Sequence, residues 1–347
     1  MLDDLKYIHQ RDGQDALGIA ERQYKQLEHT FEVTGDRLQV TDGIENIVFG
    51  GMGGSALAGL ISVSWPGHKI PFEVCRQYHI PAYVSEKTLF IASSYSGNTE
   101  EALSALAVAE AAEAKIVIIA GGGKLQEIAE AKKYPYLAIP KVEQPRYAVL
   151  YNLKALITVL EVAGLVKEEQ ASKTMAQAAG FLKEKVAAWI ATVPAKDNPA
   201  KKLAEELAGK SVVIYAGPLL APAAYKWKIN FNENAKNVAW WNQLPEFNHN
   251  EMIGWSSHPI QKPYAVVDLR SNLEHPRVQK RFEVTEKLLS GRRPAPNIVQ
   301  IEGETLLEQL LWTIAFGDFV SIYLALLNNI NPAPVELVEK FKLELNK

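Results

Sequence analysis

Apolar residues along the chain come in short blocks, punctuated by glycine and separated by longer stretches of helical spacing. Residues 1–40 carry the spacing of amphipathic helix, and "IENIVFGGMGGSALAGLISV" then reads as a buried strand, a glycine turn and a small-residue helix. The same order returns in "IPFEVCR", in "KTLFIASSYSGNTEEALSALAVAEAA" and in "AKIVIIAGGGKLQEIAEAKK", with Ala, Leu and Glu filling the helical runs. Strands that are apolar throughout are covered on both faces, so the pattern predicts a mainly parallel sheet flanked by helices. From about residue 147 to 209 the spacing is helical, with no clear strand. The first pattern then restarts: "SVVIYAGPLLAPAAYKWKINFNENAK" gives strand, turn and helix, "YAVVDLR" and "PNIVQIEG" give later strands, and "LLEQLLWTIAFGDFVSIYLALLNN" gives a final helix. An α/β chain with two similar folds in tandem follows, residues 1–150 and 210–347, joined by a helical connection over 151–209. What repeats is architecture, because the second half has no copy of "GGMGGSA" or "SSYSGNT".

Composition narrows the function more than the fold. The 347 residues are 48% hydrophobic and 22% charged with a net charge of −3, an ordinary soluble composition of about two domains. Acidic and basic residues are interspersed, so there is no basic field for nucleic acid. Cys75 is the only cysteine, lies in an apolar strand-like run and reads as a buried thiol of a reducing compartment. The first residues, "MLDDLKYIHQRDGQ", lack the basic and apolar regions of a signal peptide. No apolar run is expected to reach the roughly 18 residues of a membrane span, so neither a membrane partner nor any location but the cytoplasm is expected.

Two segments of the first half have the makings of anion nests. "GGMGGSALAG" aligns as G-x-G-x-x-A through Gly51, Gly53 and Ala56, a variant of the dinucleotide fingerprint. Taken alone it is equally a tight strand-to-helix turn, since backbone N–H groups at a helix start suit any phosphate. "SSYSGNTEE" follows the strand "TLFIA" and offers the hydroxyls of Ser93, Ser94, Ser96 and Thr99 ahead of another helix. Helix capping by Ser96 or Thr99 accounts for one of those hydroxyls and leaves the others unexplained. A dinucleotide has no use for a second, hydroxyl-rich nest, so the pair favours a compact phosphorylated metabolite over NAD.

"GMGGSA" followed some 40 residues later by "SSYSGNTEE" resembles the sugar isomerase (SIS) domain, whose S-x-S-G-x-T loop cradles a sugar phosphate. "ENAK…LPEFNHNE", "QPRYAVLYNL" and the C-terminal "GDFVSIYLALLNNINPAPVELVEKFKLEL" extend the likeness over residues 1–347 to the bifunctional phosphoglucose/phosphomannose isomerases, which are tandem SIS proteins. The resemblance implies an aldose–ketose isomerase of sugar 6-phosphates. Its phosphate site falls on Gly53, Gly54, Ser55, Ser94, Ser96 and Thr99.

Moving a proton between C2 and C1 through a cis-enediolate calls for a carboxylate, a ring-opening acid or base, and a cation for the enediolate oxygen. The resemblance assigns these to Glu233, His249 and Arg146, and places a lysine that assists ring opening at Lys342. Glu246 and Glu251 compete as bases and Lys340 competes with Lys342. The segment "NENAKNVAWWNQLPEFNHNE", residues 232–251, is a poor core helix or strand and is read as an irregular strap, packed by Trp240, Trp241 and Pro245. Relatives often read Asp-Pro-Thr-Pro where this chain has "NPAP", which puts Ala333 in place of a threonine tied to mannose activity. His79, His249 and His258 have no metal-ligand spacing, and this proton transfer needs neither metal nor cofactor. The family also implies a homodimer in which each site draws a histidine from the partner subunit. The competing reading is a sugar-phosphate sensor, which would keep the nests and dispense with the acid and base. A glutamine-dependent amino-sugar synthase would need an N-terminal nucleophilic cysteine, and position 2 is Leu.

Overall fold

A computed structural model of the chain describes residues 1–35, 43–257 and 263–345. Two compact units result: a first unit of Arg22–Phe181, and a second of Met1–Glu21 together with Leu182–Lys347. This division differs from the blocks expected from the sequence, because the N-terminal residues belong with the C-terminal half and the helical connection is cut at Phe181. The chain opens with α1 (Leu5–Arg11), α2 (Ala16–Arg22) and α3 (Lys25–Glu28). Asp4 caps α1, and Asp12 accepts the N–H groups of Ala16 and Leu17 at the start of α2. Tyr7 of α1 donates its hydroxyl to the carbonyl of Leu326, 319 residues away, and Lys201 pairs with Asp3 at 3.1 Å.

The first unit is built from β1 (Asn46–Gly50), α4 (Gly53–Ser64), β2 (Phe72–Cys75), β3 (Thr88–Ser94), α5 (Glu100–Ala111), β4 (Lys115–Ala120), α6 (Gly123–Lys132), β5 (Tyr136–Ala138) and α7 (Val149–Val162). Its five strands are parallel in the order β2-β1-β3-β4-β5. Every residue of β3 is buried, which is why its sequence shows no alternation. Strand order reverses between β1 and β3, and the crevice beyond their carboxyl ends is where open parallel sheets bind ligands. Both glycine-rich and hydroxyl-rich loops leave the sheet there. Cys75 is buried at the end of β2 and donates to the carbonyl of His79.

After α8 (Ala171–Val186) and α9 (Pro199–Leu207), the second unit adds β6 (Ser211–Ala216), α10 (Ala221–Glu233), β7 (Ala239–Gln243), α11 (Glu251–Gly254), β8 (Tyr264–Arg270), α12 (Pro276–Leu288), β9 (Pro296–Gln300), α13 (Leu306–Leu327) and α14 (Glu336–Leu345). The sheet order β7-β6-β8-β9, again parallel, repeats the first unit less one strand, with β6 in the place of β1 and β8 in the place of β3. Two expectations need correction. The segment read as an irregular strap contains β7, whose register pairs Val213 with Trp240 and Ile214 with Trp241. It is an edge strand with one neighbour, so most of its side chains are only partly covered and the run need not be apolar. The second correction concerns α13, which is long and apolar enough to cross a membrane, with a mean hydropathy of 1.9. That window is 94% buried inside the protein, as expected of a core helix that is apolar all round. A capping box of Thr305 and Glu308 starts it.

Candidate active site

In the first unit the hydroxyl loop converges on itself. Ser94 closes β3, its Oγ lies 2.8 Å from Thr99 Oγ1 and 3.5 Å from Ser96 Oγ, and it accepts the N–H of Gly97. Thr99 stands at the N-cap position of α5 but makes no side-chain cap, so its hydroxyl is turned to Ser94 and the helix start is left open. The capping explanation of these hydroxyls therefore fails for Thr99. Ser93 is one residue back and faces the other side of the sheet, as a period of two requires, and its buried hydroxyl has no partner among the described residues. The loop is braced from behind by the turn before α6. Gly97 adopts φ +69°, and a Cβ there would lie 1.7 Å from the carbonyl oxygen of Gly122, so no other residue fits. Asn98 accepts the N–H of Lys124 at 3.0 Å, and Gly121 N–H donates to Tyr95 O.

The glycine turn after β1 joins this constellation. Met52, the N-cap of α4, supplies no side-chain cap, and Ser55 in the first turn accepts the N–H of Tyr95 at 3.0 Å. Two helix starts thus face the same three hydroxyls, an arrangement of partial positive charge and donors suited to a phosphate. Gly54 packs where a Cβ would come within 2.9 Å of the Pro145 carbonyl carbon and 3.0 Å of the Arg146 nitrogen. That close approach brings a 3-10 turn, Pro145–Tyr147, against α4. Arg146 is 1% exposed, and its guanidinium stacks over the Tyr147 ring at 4.7 Å.

In the second unit Glu233 ends α10, half-buried, on a cavity of about 1030 Å³ whose lining includes Lys228, Lys236, Trp240, Leu337 and Lys340. The rest of the E-N-A-K run fixes it in place. Asn234 donates to Ser321 Oγ at 2.8 Å, and Lys236, at φ +50°, donates to the carbonyls of Asn331 and Pro332 at 2.9 and 3.1 Å. Further up α10, Lys226 forms a buried ion pair with Asp318 of α13, and Asn230 donates to the same carboxylate at 2.7 Å. Breaking such a pair leaves an uncompensated buried charge, at about 3–5 kcal/mol. These anchors were missed in the sequence, although Lys226, Asn230 and Asn234 recur every four residues on one helix face. Of the two candidate lysines, Lys340 lines the cavity, whereas Lys342 pairs with Glu339 at 2.9 Å.

His249 closes a 3-10 turn, Glu246–His249, is exposed and does not line the Glu233 cavity. Glu246 is exposed and accepts from Asn250. Glu251 accepts the Tyr215 hydroxyl and, at 2.6 Å, the Asn242 amide, beside a separate cavity of about 280 Å³ with Trp240 and Trp255. Burial and that carboxylate push the Tyr215 hydroxyl well above the ordinary phenol range. Glu233 is therefore the one of the three carboxylates on the large cavity. Among the described residues no three His, Cys, Asp or Glu side chains converge as metal ligands, and His258 lies outside the described residues.

Residues 196–345 match the family described as bacterial phospho-glucose isomerase C-terminal SIS domain. The chain is 36% identical over 330 residues to the bifunctional phosphoglucose/phosphomannose isomerase of Caldicellulosiruptor bescii, covering 92% of this chain and 96% of that one. It is 33% identical over 308 residues to the protein of the same name from Aquifex aeolicus, covering 87% and 91%. Among solved structures, a glucose-6-phosphate isomerase like protein from Thermus thermophilus superposes with a TM-score of 0.66 at 19% identity over 98% of each chain, a likeness of fold.

Proposed function

Because this chain belongs to the bifunctional phosphoglucose/phosphomannose isomerase family, we propose that it interconverts glucose 6-phosphate, and mannose 6-phosphate as a second substrate, with fructose 6-phosphate. In this reading the phosphate rests on Ser94, Ser96 and Thr99 and on the backbone of Gly53, Gly54 and Ser55. Glu233 takes the proton from C2 of the open-chain aldose and returns it to C1. Arg146 balances the negative oxygen of the cis-enediolate, and His249 opens the ring by moving the proton between the anomeric hydroxyl and the ring oxygen, assisted by a lysine of α14, Lys342 by the family resemblance or Lys340 by its place on the cavity. Carboxylate and imidazole suffice for these transfers, so the reaction is metal-independent. The observation that carries the reading is the Thr99 hydroxyl, which leaves its own helix uncapped and joins Ser94 at 2.8 Å. Donors left unsatisfied at two helix starts call for an anion from outside.

The working form in this reading is a homodimer in which His249 of one chain completes the site of the other. It is supported by the exposure of His249 and of apolar groups in the second unit, Trp240 at 47%, Ile253 at 72% and Leu337 at 81%. The test is purified protein with fructose 6-phosphate and EDTA, with glucose and mannose 6-phosphate detected separately. Glucose 6-phosphate should form. Turnover to neither product would leave the sensor reading in its place, and formation of glucose 6-phosphate alone would remove mannose from the proposal and point to Ala333, which is 2% exposed.

A further inference from the structure

The two sheets share their strand order, so each loop around the first unit's nest has a counterpart in the second. The turn after β1 corresponds to Gly217–Leu220 after β6, and the hydroxyl loop after β3 corresponds to residues 271–275 after β8. From that second loop Glu274 turns inward and is only 4% exposed. Its Oε1 accepts the N–H of Leu219 at 2.8 Å, and the neighbouring Leu220 N–H donates to the Gly217 carbonyl at 3.2 Å. Leu220 is the N-cap of α10 and provides no side-chain cap of its own. Space for the carboxylate comes from Gly217, where a Cβ would lie 2.3 Å from Glu274 Cδ and Oε1. No lysine, arginine or histidine among the described residues is ion-paired with Glu274, so the positive end of the 13-residue helix α10 balances it.

We propose that Glu274 is a built-in anion that fills the second unit's counterpart of the phosphate nest, so that each chain takes one phosphate where its two sheets would otherwise offer two. A carboxylate and a phosphate ask the same of a helix start, N–H donors and positive potential, and the internal group holds the place at high effective concentration. Burial outweighs the backbone N–H groups and leaves the Glu274 carboxyl above its ordinary value, the cost of holding a carboxylate here without a cation beside it. In the first unit the corresponding link runs the other way: Tyr95 N–H is received by Ser55 Oγ, a neutral group, and the acids of the first α5 turn, Glu100 and Glu101, lie on the helix itself. The inference rests on the reading of that first nest as a phosphate site only in counting one site per chain.

The experiment removes the first nest and then opens the second. In a Ser96→Ala, Thr99→Ala background, thermal unfolding is followed in 0 to 20 mM inorganic phosphate at constant ionic strength. With Glu274 in place the melting temperature should stay flat. With Glu274→Ala added it should start lower and rise with the logarithm of phosphate concentration, by roughly 3 °C for a ligand at about ten times its Kd. An equal response with Glu274 intact, or none without it, overturns the proposal. If Glu274→Ala does not fold in chloride, phosphate must rescue it. Failure in both buffers while the isosteric Glu274→Gln folds in both would make Glu274 a space filler and overturn the proposal too. The phosphate response of wild type against Ser96→Ala reports separately on the first nest.

Discussion

Beyond β3 three linked hydroxyls face two helix starts that no side chain caps, and beyond β8 a single carboxylate lies across the start of α10. Backbone geometry alone does not distinguish the two places, since both follow a parallel strand at the reversal of strand order. What distinguishes them is the side chain sent in by the neighbouring loop. The hydroxyls accept nearby N–H groups yet stay neutral and keep a proton to donate, whereas a carboxylate only accepts and brings a charge that opposes the positive helix end. The second unit, relieved of an anion at that end of α10, presents a carboxylate of its own to a cavity at the other end, at Glu233. In the proposed reading, a fold repeated twice is divided between holding a substrate and reacting with it.

The largest effect is expected where that division assigns the chemistry. Glu233→Gln keeps the shape and removes the proton acceptor, so kcat should fall by about 10² to 10⁴ with KM little changed, while Glu246→Gln stays near wild type. The reverse outcome would move the base to the turn before His249. Mixing Glu233→Gln chains with His249→Ala chains should restore about a quarter of wild-type activity, because half of the reassorted dimers carry one intact site. No recovery, with reassortment verified by mass spectrometry, would confine each site's histidine to its own chain. A smaller effect, on KM rather than kcat, is expected at the first nest. Hydrogen bonds to a charged group are worth about 1.5–3 kcal/mol, so Ser96→Ala should raise KM roughly tenfold or more, and an unchanged KM would take the phosphate out of this loop.

The smallest effect on catalysis is expected of His68, in the first unit but apart from its nest. Its ring stacks on Phe72 at 4.0 Å, and burial, with Lys167 nearby, lowers its pKa to about 4. The unfolded chain takes up a proton near 6.5 and the folded one resists it, so this histidine's contribution is complete above about pH 6.5 and is lost as pH falls toward 4. His68→Gln should leave kcat and KM unchanged at pH 7.5 and flatten the acid limb of a stability curve by on the order of 1–3 kcal/mol. An acid limb identical in both proteins would show that His68 does not govern it.

The meeting of the hydroxyls beyond β3 was readable from sequence because a wholly apolar strand and a dense run of hydroxyls are both local signals. So was the end of α10 at Glu233. Strand β7 was not, since an edge strand of Trp, Asn and Gln has neither the apolar run nor the alternation that marks a half-covered strand. The choice between Lys340 and Lys342 lay beyond the sequence for a simpler reason: two residues on a helix differ by about 200°, so one faces the cavity and the other faces Glu339. Glu274 gave no signal at all. Before His275 and Pro276 it looks like a loop acid, and its meaning lies 55 residues away at Leu219.

The bond from Tyr7 to Leu326 sets the order in which the molecule can be completed as it is made. Residues Arg22–Phe181 are contiguous and leave the ribosome together, whereas α1 and α2 belong to a unit that is unfinished until α13 has been translated. At about 5–20 residues per second, the 319 residues that separate Tyr7 from its acceptor take roughly a quarter of a minute to a minute. Through that interval the apolar faces of α1 and α2, with Ile8, Ala16 and Leu17, have no partner to bury them. α1 and α2 can thus reach their place in the second unit only once the last long helix has been made.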